Sequence, residues 1–332
     1  MLLLAFCVKD IRLEDIRILS DRLSLTYLIP AVIFTFLFIF SKALRWRLMA
    51  SQQKEIKYGR SLTLYSAGQI LNIVMPALTG QVGRLFLFSR AEGLRKTFIF
   101  STIVLEVLFD SISLIIILVL VSLAFVFPAE YRSIGYIISA AVVVVLVLLY
   151  LMLHYQRQLE DMGRNRLRDR WPSFYIGLRK FIRSFAQGIN LLRSSQHIMG
   201  SLFYSLFGWI AHTLVVYYLL KSFGFDLPVV AAASVMIINT IALMIPITPG
   251  NAGTFEVAVS TSLAAFKVGR TDAVLFAIAL HLLDLLPIAI MGLIFLRSER
   301  VSISEIKAKH ADEDILDRVS EEGTLVEDEE TA

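Results

Sequence analysis

The sequence of 332 residues holds a single cysteine, Cys7, which excludes an intramolecular disulfide and leaves any multi-cysteine metal site without ligands. Charged side chains are also scarce, at 18%, where soluble domains carry about 25%. Catalytic signatures are missing: there is no Walker A loop, no H-E-x-x-H, no G-x-S-x-G and no dinucleotide G-x-G-x-x-G after a strand pattern. ATP hydrolysis and a bound cofactor are therefore not expected, and enzymatic activity is disfavoured. A basic face on a soluble module, which a nucleic-acid partner would need, is absent as well. What is present is apolar: 57% of residues, with a mean hydropathy of +0.70. Such a composition specifies an all-α, polytopic transmembrane bundle with no sizeable water-soluble domain.

Apolar runs long enough to cross about 30 Å of hydrocarbon lie at roughly 23–45, 97–127, 133–154, 197–221 and 271–296. Two further stretches, 58–89 and 227–266, have the length of a span but are interrupted by proline and glycine. Basic residues set the orientation. Six lie between Lys42 and Arg60, four between Arg84 and Lys96, and nine between Arg157 and Arg193, marking cytoplasmic loops. The connections at 128–132, 221–228 and 267–270 suit the outside. Threading five spans through this assignment makes 58–89 begin and end inside, and 227–266 begin and end outside. Both are expected to be re-entrant hairpins entering from opposite faces; an ordinary kinked span would put the basic 157–193 segment outside.

Residues 1–296 are thus expected to form one transmembrane domain with halves at about 1–155 and 196–296. The joining loop, 156–195, has a net charge of +6 and apolar residues at near-helical spacing. It reads as an amphipathic helix on anionic lipid headgroups or as a solvated linker. Residues 297–332 carry 12 acidic and 5 basic side chains and read as a disordered cytoplasmic tail of a multi-pass protein of the cell membrane. The Asp312-Glu-Asp314 triplet there is what such a composition supplies. The run at 1–22 lacks the basic start of a signal peptide, and a remnant span and an interfacial segment both remain open.

The two interrupted stretches share a pattern. Pro76-Ala-Leu-Thr-Gly80-Gln81-Val-Gly83 and Pro246-Ile-Thr-Pro249-Gly250-Asn251-Ala-Gly253 both read P-x-x-x-G-amide-x-G. Proline removes a backbone donor and glycine admits conformations barred to other residues, so each block is expected to unwind a few residues at membrane depth. Matched broken segments of opposite orientation point to a transporter built from inverted repeats, with its site at their interface. Gln81 and Asn251 occupy corresponding positions and can hold a headgroup or satisfy freed backbone. Ionisable residues inside apolar runs are costly and face a cavity or a partner. Glu106 and Asp110 lie one helical turn apart, His281 and Asp284 do the same, and Arg84 and Glu256 each follow a break. The set reads as a substrate path, a proton relay or a salt-bridge lattice holding the halves together, whereas His212 reads as a core histidine.

At TGQVGR (79–84), VLEVLFD (104–110) and IPITPGNAGTFE (245–256) the chain resembles the lysylphosphatidylglycerol synthase transmembrane region, from about Ala31 to Leu296. The resemblance implies a flippase-like protein that moves lipid headgroups between leaflets, with aminoacylated phospholipids or polyprenyl-phosphate-linked glycolipids as substrates. Gly80, Arg84, Glu106, Asp110, Pro249, Gly250, Gly253 and Glu256 match the family pattern, while Gln81 stands where an acidic residue is frequent and Val107 where an arginine commonly follows. No aminoacyl-transfer domain is expected after the last span, so the resemblance implies only the translocase half of the synthase activity. On this reading Gln81, Arg84, Glu106, Asp110, Asn251, Glu256, His281 and Asp284 line the path, and Glu106 with His281 carry protons. A membrane enzyme or enzyme subunit acting on polyprenyl-phosphate sugars and a small-solute secondary transporter are the alternatives; a homo-oligomer or a lipid-modifying enzyme are the protein partners to consider.

Overall fold

The computed structural model describes residues 23–74, 79–123, 188–243 and 248–298, with 185, 186 and scattered positions between 140 and 155. Regular structure among the described residues is helical. The α-helices are Leu25–Ala50 (α1), Tyr58–Val74 (α2), Thr79–Glu92 (α3), Lys96–Ser122 (α4), Ser195–Ser222 (α5), Val229–Ala242 (α6), Thr254–Ala264 (α7) and Arg270–Ser298 (α8), with short 3-10 turns at Asn190–Arg193 and Pro249–Asn251.

Helix length divides them into two kinds. α1, α4, α5 and α8 have 26 to 29 residues and reach about 39–44 Å at about 1.5 Å per residue, enough to cross a bilayer. All four are apolar enough to do so. α2, α3, α6 and α7 have 11 to 17 residues and reach only about 17–26 Å, so none crosses alone. The long helices are apolar on their outer faces too. On α8, Leu282, Leu286, Ile290, Leu293 and Ile294 are exposed at helical spacing, a continuous apolar stripe that is stable against lipid and not against water.

Small residues let the helices approach. α1 and α5 run antiparallel along their whole length: Ser24 N donates to Ser222 O at 3.0 Å at one end, Phe34 stacks on Tyr218, and further along a Cβ on Gly208 would sit 2.5 Å from Ser41 Oγ. α2 and α3 form an antiparallel pair. Arg60 Nε donates to Glu92 Oε1 at 2.7 Å at its open end, Gly68 lies under Arg84 and Phe88, and Gly80 lies against Asn72 at its closed end. α8 packs on α2 through Gly292, where a Cβ would meet Ser66 O at 2.4 Å. α6 and α7 pack on each other. Phe223 and Phe225, which lead into α6, meet Phe276 near the start of α8, and α7 returns to that same start through the turn at 265–269.

One core joins α5, α6, α7 and α8, with Trp209, Met236, Phe255 and Phe276 in it. A second joins the end of α1 to α2, α3 and the start of α4 around Trp46, Phe88 and Phe98.

The first broken block differs from expectation. α3 begins at Thr79, so Gly80, Gln81 and Gly83 are helical and any break ends before them. The reason is packing: Gly80 serves the close approach to Asn72 Cα, 2.6 Å from an added Cβ, rather than an unusual backbone angle. The second block is unwound, with positive φ at Gly250, Asn251 and Gly253. Pro76 and Pro246, the N-terminal run, most of 133–154, most of the basic loop and the acidic tail lie outside the described residues. The end of that loop is inside the bundle: Phe185 and Ile189 are buried with Leu105, Leu108 and Phe109 of α4.

Candidate functional site

The buried stripe of α1 contains Ile39, Trp46 and Met49, and the same spacing carries Lys42 and Arg45 inward. They are 4% and 1% exposed. Asp110 meets them from α4. Lys42 Nζ donates to its Oδ1 at 2.5 Å, and Arg45 donates through Nη1 to Oδ1 at 2.5 Å and through Nη2 to Oδ2 at 3.1 Å. From α5, Trp209 Nε1 donates to Oδ1 at 2.8 Å and Ser205 Oγ at 3.1 Å, while Ser205 accepts from Arg45 Nη1. The Lys42 ammonium also lies 4.4 Å from the centroid of the Trp209 ring, a cation–π contact.

One turn earlier on α4, Glu106 accepts from Arg84 Nη2 at 2.6 Å, both side chains being buried. The Arg84 guanidinium lies over Tyr65 of α2 and Phe88 of α3, and its Nε is buried with no partner among the described residues. Glu106 is also within electrostatic reach of Lys42 and Arg45. By formal charge, these contacts bring together three cations and two carboxylates, one positive charge in excess among the described residues.

The third group belongs to the second break. Gly253 N donates to Glu256 Oε2 at 2.6 Å, so the carboxylate caps the start of α7 three residues before it. Glu256 Oε1 lies 2.7 Å from His281 Nδ1, and His281 Nε2 lies 2.9 Å from Gly250 O. Phe255 stacks on the imidazole at 4.2 Å. The fourth group links α5 to α8: His212 Nε2 lies 3.1 Å from Asp284 Oδ1, with Phe38 stacked on the ring. His212 is thus buried but partnered at one nitrogen only, its Nδ1 having no partner among the described residues.

The expected site residues are therefore sorted into separate pairs. Glu106 and Asp110, though one turn apart, go to different cations, and His281 and Asp284 go to different helices. Glu106 and His281 do not pair with each other. Gln81 Oε1 and Asn251 Oδ1 are buried without partners among the described residues, as is Asn239 Oδ1 on α6. The closed ends of the two short-helix pairs meet: the 3-10 turn packs on α2, with Gly250 against Ile73, whose Cγ2 and O are both 3.8 Å from an added Cβ. Lys42, Arg45, Tyr65, Ser205 and Trp209 were not among the expected site residues. The signal that finds the first two is their three-residue spacing in phase with the buried face of α1. Beside this end of α1 a cleft of about 300 Å³ is lined by Arg47, Ser51, Glu55 and Tyr204 among others.

Four membrane-length helices packed with two pairs of short helices, with ion pairs buried among them, define a multi-pass membrane protein. Residues 1–292 match the family described as the lysylphosphatidylglycerol synthase TM region, and the chain belongs to that family. No curated protein and no solved structure matches the chain.

Proposed function

We propose that this protein is a flippase-like transporter that carries a lipid headgroup between leaflets, the lipid being an aminoacylated phospholipid or a polyprenyl-phosphate-linked glycolipid. The observation that carries the reading is the excess positive charge of the Lys42, Arg45, Arg84, Glu106 and Asp110 cluster. A charge held in a bilayer costs at least about 2.5 kcal/mol on insertion scales unless it is paired, and a lipid phosphate is an anion that reaches such a cluster from the membrane itself. Arg84 Nε, buried and unpartnered among the described residues, is the donor available to it.

On this reading α2–α3 and α6–α7 are re-entrant hairpins of two inverted halves, entering from the cytoplasmic and outer faces of the cell membrane respectively. Their lengths, shorter than a span, and their meeting at Gly250 and Ile73 support it. The headgroup moves along the polar interior while the acyl chains stay in the bilayer, and the acidic tail lies in the cytoplasm.

Protein extracted in a mild detergent is expected to retain a phosphate-bearing lipid detectable by mass spectrometry. Arg84→Gln is expected to retain about tenfold less or lower, the loss of one charge-assisted hydrogen bond. Equal retention by the two proteins would remove Arg84 from the headgroup site.

A further inference from the structure

The hydrogen bonds at the second break fix how many protons it holds. Gly250 O is an acceptor, so His281 Nε2, 2.9 Å away, must carry a hydrogen and donate it. The other ring nitrogen, Nδ1, faces Glu256 Oε1 at 2.7 Å, a distance that requires one hydrogen between them. That hydrogen resides either on the imidazole, facing a carboxylate, or on the carboxyl, facing a neutral imidazole. In both forms the pair is neutral overall and shares a single proton. Removing it to water leaves a carboxylate and a neutral imidazole, with net charge −1 and a lone pair on Nδ1 pointed at Oε1. The attraction becomes a repulsion.

We propose that Glu256 and His281 form one proton-binding site, and that loss of its proton reshapes the backbone break at 249–253. Both partners are anchored to that break. Glu256 Oε2 accepts from Gly253 N, and His281 Nε2 donates to Gly250 O, so the pair cannot separate without releasing one of these backbone groups. The break is the segment with positive φ at Gly250, Asn251 and Gly253, and it rests on Ile73 of α2, so its movement reaches the first helix pair. Phe255, stacked on His281, and the burial of both side chains keep the shared proton away from bulk water.

Among the described residues, few other groups compete for this role. α6 carries no titratable side chain and α7 carries only Glu256. On α8 the neighbouring carboxylate, Asp284, is held by His212 of α5. From α2, Tyr65 faces Arg84, and from α1, Lys42 and Arg45 are held by Asp110. The site is chemically separate from the cation-rich cluster. It rests on the transport reading only for its consequence, which is that headgroup movement is coupled to protons.

The test uses Ala252→Cys in the Cys7→Ser protein, reconstituted in lipid nanodiscs, with the rate of alkylation corrected for the pH dependence of a free thiol. The corrected rate is expected to rise about tenfold from acid to alkaline pH as the break opens. Glu256→Gln, whose amide mimics the protonated carboxyl by donating to Nδ1 and accepting from Gly253 N, is expected to hold the rate at its low, acid value throughout. A corrected rate independent of pH in the parent, or the same rise in Glu256→Gln, overturns the proposal. Nitrogen-15 NMR of histidine-labelled unsubstituted protein gives a second reading: the His281 ring keeps its Nε2 proton across the pH range while its Nδ1 resonance shifts as the proton shared with Glu256 is lost, and a ring deprotonated at Nε2 or an Nδ1 resonance independent of pH overturns the proposal as well. Neither measurement depends on lipid movement. Absence of leaflet exchange would sink the flippase reading and leave the proton site standing, whereas exchange that ignores an imposed pH gradient would sink the coupling.

Discussion

Asp110→Ala is expected to leave little folded protein. The substitution removes the acceptor shared by Lys42, Arg45, Ser205 and Trp209 and strands two buried cations, both on α1. Breaking a buried pair by removing one partner costs about 3–5 kcal/mol, a large part of the whole stability of a domain, about 5–15 kcal/mol. Yield of monodisperse protein in detergent, and its thermal denaturation, check the prediction. Asp110→Asn, which keeps acceptor and shape but loses the charge, should fall between the two. Replacing all three charges with Lys42→Met, Arg45→Met and Asp110→Leu should recover much of the lost stability, because an apolar set of similar volume needs no pairing. Parent-like stability of Asp110→Ala would show that the cluster is hydrated and not a buried lock between α1, α4 and α5.

The second large effect is expected at Gly80. A Cβ there would stand 2.6 Å from Asn72 Cα and 2.8 Å from Leu71 O, main-chain atoms that cannot swing aside. Gly80→Ala must therefore part α2 from α3 at their closed end, at a cost of about 1–3 kcal/mol for overpacking, offset by at most about 1 kcal/mol of helix propensity. Because Arg84 lies one turn further along α3, the same displacement pulls its guanidinium from Glu106. Function should fall further than stability. Gly59→Ala is the control: it lies in the first turn of α2 with nothing within 4 Å of the added carbon, so its effect should stay within about 0.5 kcal/mol. Thermal denaturation of the two variants side by side separates the cases, and equal behaviour would contradict the close packing of the pair.

Much of this fold is written in hydrophobic run length. The four long helices fall where the apolar runs do, because a helix that must satisfy its own backbone in lipid leaves an uninterrupted stretch of about 20 apolar residues. Proline and glycine likewise mark both pairs of short helices. What the pattern does not carry is which glycine bends the chain and which merely makes room. Gly250 and Gly253 adopt positive φ, whereas Gly80 and Gly83 sit in a helix, and only the contact with Asn72 explains Gly80.

The buried polar groups of the candidate site are legible in their residue types and not in their pairing. Positions three or four apart share a helix face, so Glu106 with Asp110 and His281 with Asp284 looked like units. Yet a face at the junction of three helices has several neighbours. Glu106 turns to α3 and Asp110 to α1 and α5, while His281 turns to α7 and Asp284 to α5. Lys42 and Arg45 were hidden for another reason: they end an apolar run next to Arg47, Lys54 and Lys57, where basic residues ordinarily mark a cytoplasmic loop. Their phase with Ile39, Trp46 and Met49 is the feature that distinguishes a buried charge from a flanking one.

The central claim is that the cation-rich cluster where α1, α3 and α4 meet handles a lipid headgroup. Its most direct test is leaflet exchange in proteoliposomes of fluorescent aminoacyl-phospholipid and polyprenyl-phosphate-sugar analogues, comparing the parent protein with Arg84→Gln and Glu106→Gln. Exchange of one analogue by the parent, reduced about tenfold or more in both variants while they remain folded, is the predicted result. Folded parent protein that exchanges neither analogue, or variants that exchange as fast as the parent, would contradict it.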